Sequence, residues 1–201
     1  MDVKQGEVGL CDAIIQRVSY TGDLGYEIYV NSSQVISLYQ SLSEAGEAFG
    51  MRPFGMRAMM SLRLEKGFGS WLREFSPDYT PLETGLDRFV KYEKETDFIG
   101  KAAAVAEKAK GVNRRLATFV VDVEDTDVNA DEPIWKDGEL VGFVTSGGYA
   151  HWAKKSVAIG FLPPEMHIDG TEVEIEILGK KRSARLITEP LFDPMADRMH
   201  H

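Results

Sequence analysis

FIGKAAAVAEKAKGVNRRLATFVVDV, residues 98–123, holds the change of periodicity that decides the fold. Its first half, Phe98 to Lys110, carries five alanines and reads as a helix, which Gly111 ends. From Arg114 onward apolar and polar residues no longer recur at helical spacing, and RRLATFVVDV reads as a strand.

The strand character continues to the end of the chain. ELVGFVTSG, KSVAIGFLP, TEVEIEILG and KRSARLIT are short β-like runs, with turn signals at Asp137-Gly138, Gly147-Gly148, Pro163-Pro164, Asp169-Gly170 and Gly179. Runs this short, closely spaced and turn-separated imply a small antiparallel barrel or sandwich. Upstream, the chain is mixed. Val35, Ile36, Leu38, Tyr39, Leu42 and Ala45 recur at helical spacing after N-cap candidates at Asn31 to Ser33, and Gly50 closes that helix. Pro53 suits the first turn of a further helix carrying Met56, Met59, Met60, Leu62 and Leu64, with the methionines as core filler. The reading is therefore α+β: a mixed α/β segment over 1–110 and a small antiparallel β-barrel over 111–199.

Composition narrows the function. The 201 residues are 43% hydrophobic and 27% charged, as in ordinary globular domains, and 32 acidic against 23 basic residues give a net charge of −9. That sign disfavours nucleic acid and anionic membrane as partners and leaves small or neutral molecules. One cysteine, Cys11, excludes an internal disulfide or a cysteine-based zinc cage and implies a reducing compartment, cytoplasmic or an organelle matrix. No apolar run reaches the roughly 20 residues of a membrane span, and MDVKQGEVGLCDAII lacks the pattern of a signal peptide. His200 and His201 read as the stub of a purification tag and receive no role.

Several motifs fail on inspection. VDVEDTDVNADEP aligns Asp125, Asp127 and Asn129 with the first ligands of an EF-hand loop, but Ala130 replaces the required glycine and Lys136 the bidentate glutamate. It reads as a solvated acidic loop, and no metal site is expected. VTSGGY, 144–149, lacks the lysine of a phosphate loop and reads as a barrel hairpin. His151 and His167 lie near no serine elbow, so no catalytic residue is assigned.

SYTGDLGYEIYV, 19–30, reads as strand, glycine turn and strand, with an acid between Tyr26 and Ile28. The two in-plane acceptors of Glu27 match adjacent N–H donors on a flat ring such as a pterin, and the hairpin brings Tyr20 towards the same pocket. Simple alternation offers the other reading, with Glu27 on the solvent face of a half-buried strand.

YTGDLGYEIYV, SLRLEKG (61–67), PLETGLDRFVK (81–91), DFIGKAA (97–103), DEPIWKDGELVGFVTSGGY and KKSVAIGFLP resemble, in that order, the aminomethyltransferase (glycine cleavage T-protein) family. KGFGSWLREFSPDYTPLETGLDRFV looks most like the tetrahydrofolate-binding C-terminal part of dimethylglycine and sarcosine dehydrogenases. The resemblance implies a folate-binding body capped by a β-barrel, with Glu27 on the pterin, Tyr20 beside the folate, and Trp71 at the pocket edge or in the core. Arg63 and Glu65 are expected to form an ion pair.

Two departures matter. Where free-standing T-proteins carry Ala-Arg-Asp this chain has Ala58-Met59-Met60, which favours the dehydrogenase-linked branch. The family's catalytic aspartate precedes the matching region, so the chain is expected to be the folate-binding piece of a larger enzyme, partnered by the missing N-terminal half. With no G-x-G-x-x-G, FAD is expected only in that other part of a dehydrogenase-type parent. Related folate proteins of iron–sulphur maintenance use a Lys-Gly-Cys-Tyr motif, and here Lys66-Gly67 is followed by Phe68-Gly69. A folate pocket decayed into a structural or interaction domain is the third possibility.

Overall fold

The computed structural model describes Asp2 to His200; His201, one of the two terminal histidines given no role, lies outside the described residues. Two compact units emerge, one running up to Arg63 and including the residues from Asp193, the other spanning Leu64–Phe192.

The first unit is built on an antiparallel sheet in the order β1 (Asp2–Val8), β2 (Cys11–Arg17), β3 (Tyr26–Val30). The hairpin expected at 19–30 is displaced: its first arm ends at Arg17, and residues 18–25 form a loop, so Tyr20 is a loop residue. The sheet is one-sided. Cys11 and Ala13 are buried on one face, whereas Val3, Ile14 and Tyr29 are exposed on the other. After a 3₁₀ turn whose Asn31 Oδ1 accepts the Ser33 amide at 3.1 Å, α1 (Val35–Glu47) supplies the buried Leu38. The next helix, α2, is Met56–Glu65, so Pro53 precedes it instead of opening it, and Met56, 65% exposed, is not core filler.

In the second unit, the alanine-rich helix α3 is Lys101–Lys110; it begins three residues later than periodicity predicts because a turn, with the Lys101 amide on the Phe98 carbonyl at 3.1 Å, occupies 98–100. The β-rich segment is a closed antiparallel barrel. Its strands are β4 (Arg115–Val121), β5 (Pro133–Lys136), β6 (Glu139–Ala150), β7 (Lys155–Leu162), β8 (Glu172–Ile177) and β9 (Lys180–Ile187), ordered β4-β7-β6-β5-β8-β9. Pairing of Thr118–Val121 with Ala184–Ile187 closes it and leaves no sheet edge among these strands. Strict alternation sends Phe119, Val121, Val173, Ile175, Ala184 and Leu186 inward, all nearly fully buried.

VTSGGY is not a hairpin tip. It lies inside β6, with an irregular register between Val144 and Ser146, and the β6–β7 turn comes after Ala150. A Cβ at Gly147 would lie 2.5 Å from the Val128 carbonyl oxygen, so the glycine is there for close packing of the preceding loop. That loop is the acidic run. Its Asp125 is gripped by Arg182 at 2.8 Å and held below the usual carboxylate range by that hydrogen bond, while Val128 anchors the segment in the core. A short terminal helix, α4 (Asp197–His200), ends the described chain.

Candidate functional site

Register decides where Glu27 points. It pairs with Gln16, which pairs with Val3; Tyr29 pairs with Ile14, which pairs with Gln5. Directly opposed residues, and those two apart on a strand, share a face. Glu27 and Tyr29 therefore stand on the open face of the sheet together with Ile14 and Val3, and Ile28 turns inward. The Tyr29 hydroxyl donates to Glu27 Oε2. This hydrogen bond is the main reason that the phenol titrates above its ordinary range, since losing its proton would forfeit the bond and place two anions side by side. Alternation locates Tyr29 as a partner two residues from Glu27, and the sequence reading did not include it.

The loop between β2 and β3 carries Tyr20, which is half-buried. Within it the Gly22 amide donates to Ser19 Oγ at 3.0 Å. The C-terminal segment of the same unit braces the loop, because Arg198 meets Asp23 at 2.6 Å and Arg17 donates to the carbonyls of Met199 and His200.

Trp71 belongs to the other unit, in a turn over residues 71–75. It is not a core tryptophan: the side chain is 81% exposed, with its ring edge-on to Phe75 at 6.3 Å and 77°. Beneath it, the fully buried Glu74 accepts the Ser70 amide at 2.7 Å.

Glu65 has a role other than the expected pairing with Arg63. It is 2% exposed, and its two oxygens accept the main-chain N–H groups of Trp152 at 3.0 Å and Ala153 at 3.1 Å, tying the end of α2 to the β6–β7 turn. Residues two apart on a helix do not face one another, which is the rule the ion-pair reading overlooked. A second network sits at Glu83, which forms a reciprocal pair of bonds with Thr80 and meets Arg114 Nε at 2.8 Å. Arg114 in turn covers Tyr79, stacked on Phe161.

The chemistry of the open sheet face fits a flat heteroaromatic ring with adjacent N–H donors. It offers a carboxylate with acceptor capacity beyond the Tyr29 bond, flanked by a phenol and apolar Ile14. Among the described residues no group of three or more His, Cys, Asp or Glu is arranged to hold a metal ion, and no helix is long and apolar enough to cross a membrane.

Comparison with known proteins places this architecture. The GCVT N-terminal domain family matches residues 1–94, and the glycine cleavage T-protein C-terminal barrel domain family matches 114–193. The human protein named dimethylglycine dehydrogenase, mitochondrial, is 43% identical over 185 residues, covering 91% of this chain and 21% of the relative. The aminomethyltransferase of Desulfitobacterium hafniense (strain DSM 10664 / DCB-2) is 38% identical over 184 residues, covering 92% and 50% respectively. Among solved structures, the glycine cleavage system aminomethyltransferase T from Bartonella henselae superposes with a TM-score of 0.86 at 27% identity, over 96% of this chain and 53% of that one. The chain thus spans a fifth of the dehydrogenase and half of the aminomethyltransferases. With both domain families matched in order and the closed barrel in place, the chain belongs to the aminomethyltransferase (glycine cleavage T-protein) family.

Proposed function

We propose that this chain is the tetrahydrofolate-binding portion of a one-carbon-transfer enzyme of the dimethylglycine or sarcosine dehydrogenase type, which passes a methylene unit from an N-methyl amine to tetrahydrofolate. The observation that carries the branch is the 43% identity to a dimethylglycine dehydrogenase, against 35 to 38% for aminomethyltransferases. Met59 at the position of the T-protein arginine supports the same branch.

In this reading residues 1–110 are the C-terminal part of the folate-binding domain and 111–199 the aminomethyltransferase barrel. Bound tetrahydrofolate supplies the acceptor nitrogens for the one-carbon unit. Glu27 accepts from the pterin N–H donors and fixes its orientation, Tyr20 lies beside the folate, and Trp71 offers an aromatic face. Catalytic proton handling, and FAD in a dehydrogenase-type parent, belong to a further part of the same enzyme, in a reducing compartment such as the cytoplasm.

The test is calorimetric titration of tetrahydrofolate into the full polypeptide that carries these residues. Saturable binding at one site, with turnover of dimethylglycine or sarcosine, is expected. Turnover of an aminomethyl-loaded carrier instead would return the chain to the free-standing T-protein branch, and absence of folate binding would leave a structural domain.

A further inference from the structure

The ladder between β2 and β3 stops at Arg17 and Tyr26, so residues 18–25 form a loop outside it. The two ends of the loop are pinched together: a Cβ at Gly25 would lie 2.7 Å from the Val18 carbonyl oxygen. Nearer the tip, Gly22 takes a left-handed φ of 88°, and Leu24 is 41% exposed. A pinched neck below a glycine-bearing tip makes a hinged element, and such segments open at small free-energy cost.

What holds the tip comes from the other end of the chain, where the residues from Asp193 belong to the same compact unit. They form a built turn: Asp193 Oδ1 accepts the Asp197 amide at 3.0 Å, Oδ2 accepts the Arg198 amide at 3.2 Å, and the Ala196 amide returns to the Asp193 carbonyl at 2.9 Å. Asp193 and Ala196 both have left-handed backbone, with φ of 44° and 59°, which costs energy in a residue with a Cβ and persists where surrounding contacts enforce it. The turn delivers Arg198, whose Nε donates to Asp23 Oδ1 at 2.6 Å, across a seam lined by Asp23, Leu24, Asp197 and Arg198. At the root of the loop, Arg17 donates to the carbonyls of Met199 at 3.2 Å and His200 at 2.9 Å. Root and tip are thus tied to one short segment. We propose that residues 193–200 are a strap that holds the β2–β3 loop closed, with the Arg198–Asp23 pair as its latch and Arg17 as its fixed end. An exposed ion pair contributes little to global stability, but a hinged loop needs only a small bias to stay shut. Exposure also makes the latch loosen as salt rises. The loop carries Tyr20, so on the folate reading the strap governs how long the ligand is retained; the strap itself does not depend on that reading.

The test is amide hydrogen exchange, resolved to peptides, on the full polypeptide. In Arg198→Ala, exchange over residues 18–25 is expected to speed up about threefold, the scale of an exposed ion pair, with β2 and β3 unchanged. Asp23→Arg alone is expected to do the same, and Asp23→Arg combined with Arg198→Asp to restore the wild-type rate. Wild type in about 1 M sodium chloride is expected to match Arg198→Ala over the loop. Exchange over 18–25 that is unchanged in Arg198→Ala overturns the latch, and so does a charge-swapped pair no slower than the single variants. If Arg198→Ala speeds exchange in β2 and β3 as well, Asp23→Asn takes its place, because it removes the charge and keeps an acceptor oxygen; a rise confined to 18–25 upholds the proposal, and no rise there overturns it. Tetrahydrofolate is expected to dissociate about threefold faster from Arg198→Ala than from wild type, and an unchanged rate beside a faster-exchanging loop overturns the retention role. A wild type that binds no folate removes the ligand reading, and the exchange data then decide the strap alone.

Discussion

Tyr29 donates its hydroxyl hydrogen to the carboxylate of Glu27, two residues back along the same exposed strand. The bond exists only while the phenol is protonated, so the folded-state pKa of Tyr29 lies above the ordinary value of about 10. Its contribution to stability is fully present below the unfolded-state pKa and is lost as pH rises through the folded-state value. Burial also raises Tyr79 and Tyr92, so absorbance titration of tyrosinate is expected to show, beside theirs, a raised midpoint that Tyr29→Phe removes and that falls back in Glu27→Ala. A Tyr29 midpoint unchanged in that variant would mean that the pair does not persist in solution.

Glu65 supports a prediction about folding. Glu65→Ala leaves two main-chain N–H groups at the β6–β7 turn without their acceptor, and each such loss costs about 1–3 kcal/mol. Urea denaturation is expected to show a loss of about 3 kcal/mol, with Glu65→Gln between the two because one amide oxygen remains. A loss under about 0.5 kcal/mol, typical of neutral surface changes, would show that water replaces the carboxylate there.

Gly147 tests the packing reading of the glycine pair. Adding a methyl group 2.5 Å from the Val128 carbonyl oxygen forces the acidic loop outward, at about 1–3 kcal/mol. Gly147→Ala is expected to lower thermal stability by that amount and leave folate affinity unchanged, whereas a phosphate-cradling role would reverse the two effects.

The barrel was legible because short β-like runs follow one another with turn signals between them, and in two of them the burial alternates. TEVEIEILG and RRLATFVVDV send every second residue into the core, and that pattern is visible in residue types alone. Strands outside such runs were missed. β1, DVKQGEV, is exposed nearly throughout, and β5 has four residues starting with a proline at the end of an acidic loop. Tyr20 and Thr21 have the composition of a strand, yet tertiary pairing ends β2 at Arg17; propensity cannot see register. The acid at Glu27 was legible as an anomaly, but not the phenol that engages it or the buried carboxylates at 65 and 74. Those depend on chain segments 2, 87 and 4 residues away, and two of the three bonds go to backbone amides, which every residue type carries.

The last prediction concerns Glu27 itself. Its exposure means that little of the fold depends on it, so Glu27→Gln should leave stability within about 0.5 kcal/mol of wild type. Toward a pterin the change is not neutral. One charge-assisted acceptor becomes an NH₂ group facing a ligand donor, and tetrahydrofolate binding by the full polypeptide should weaken by about 2 kcal/mol, roughly 30-fold. Tyr20→Phe removes only a hydroxyl beside the folate and should cost about 1 kcal/mol. If Glu27 merely decorates the open face of the sheet, both variants will bind as the wild type does. Calorimetric titration at matched thermal stability separates these cases, and equal affinity in Glu27→Gln would remove Glu27 from the site while leaving the family membership untouched, since that rests on the order of the two matched domains.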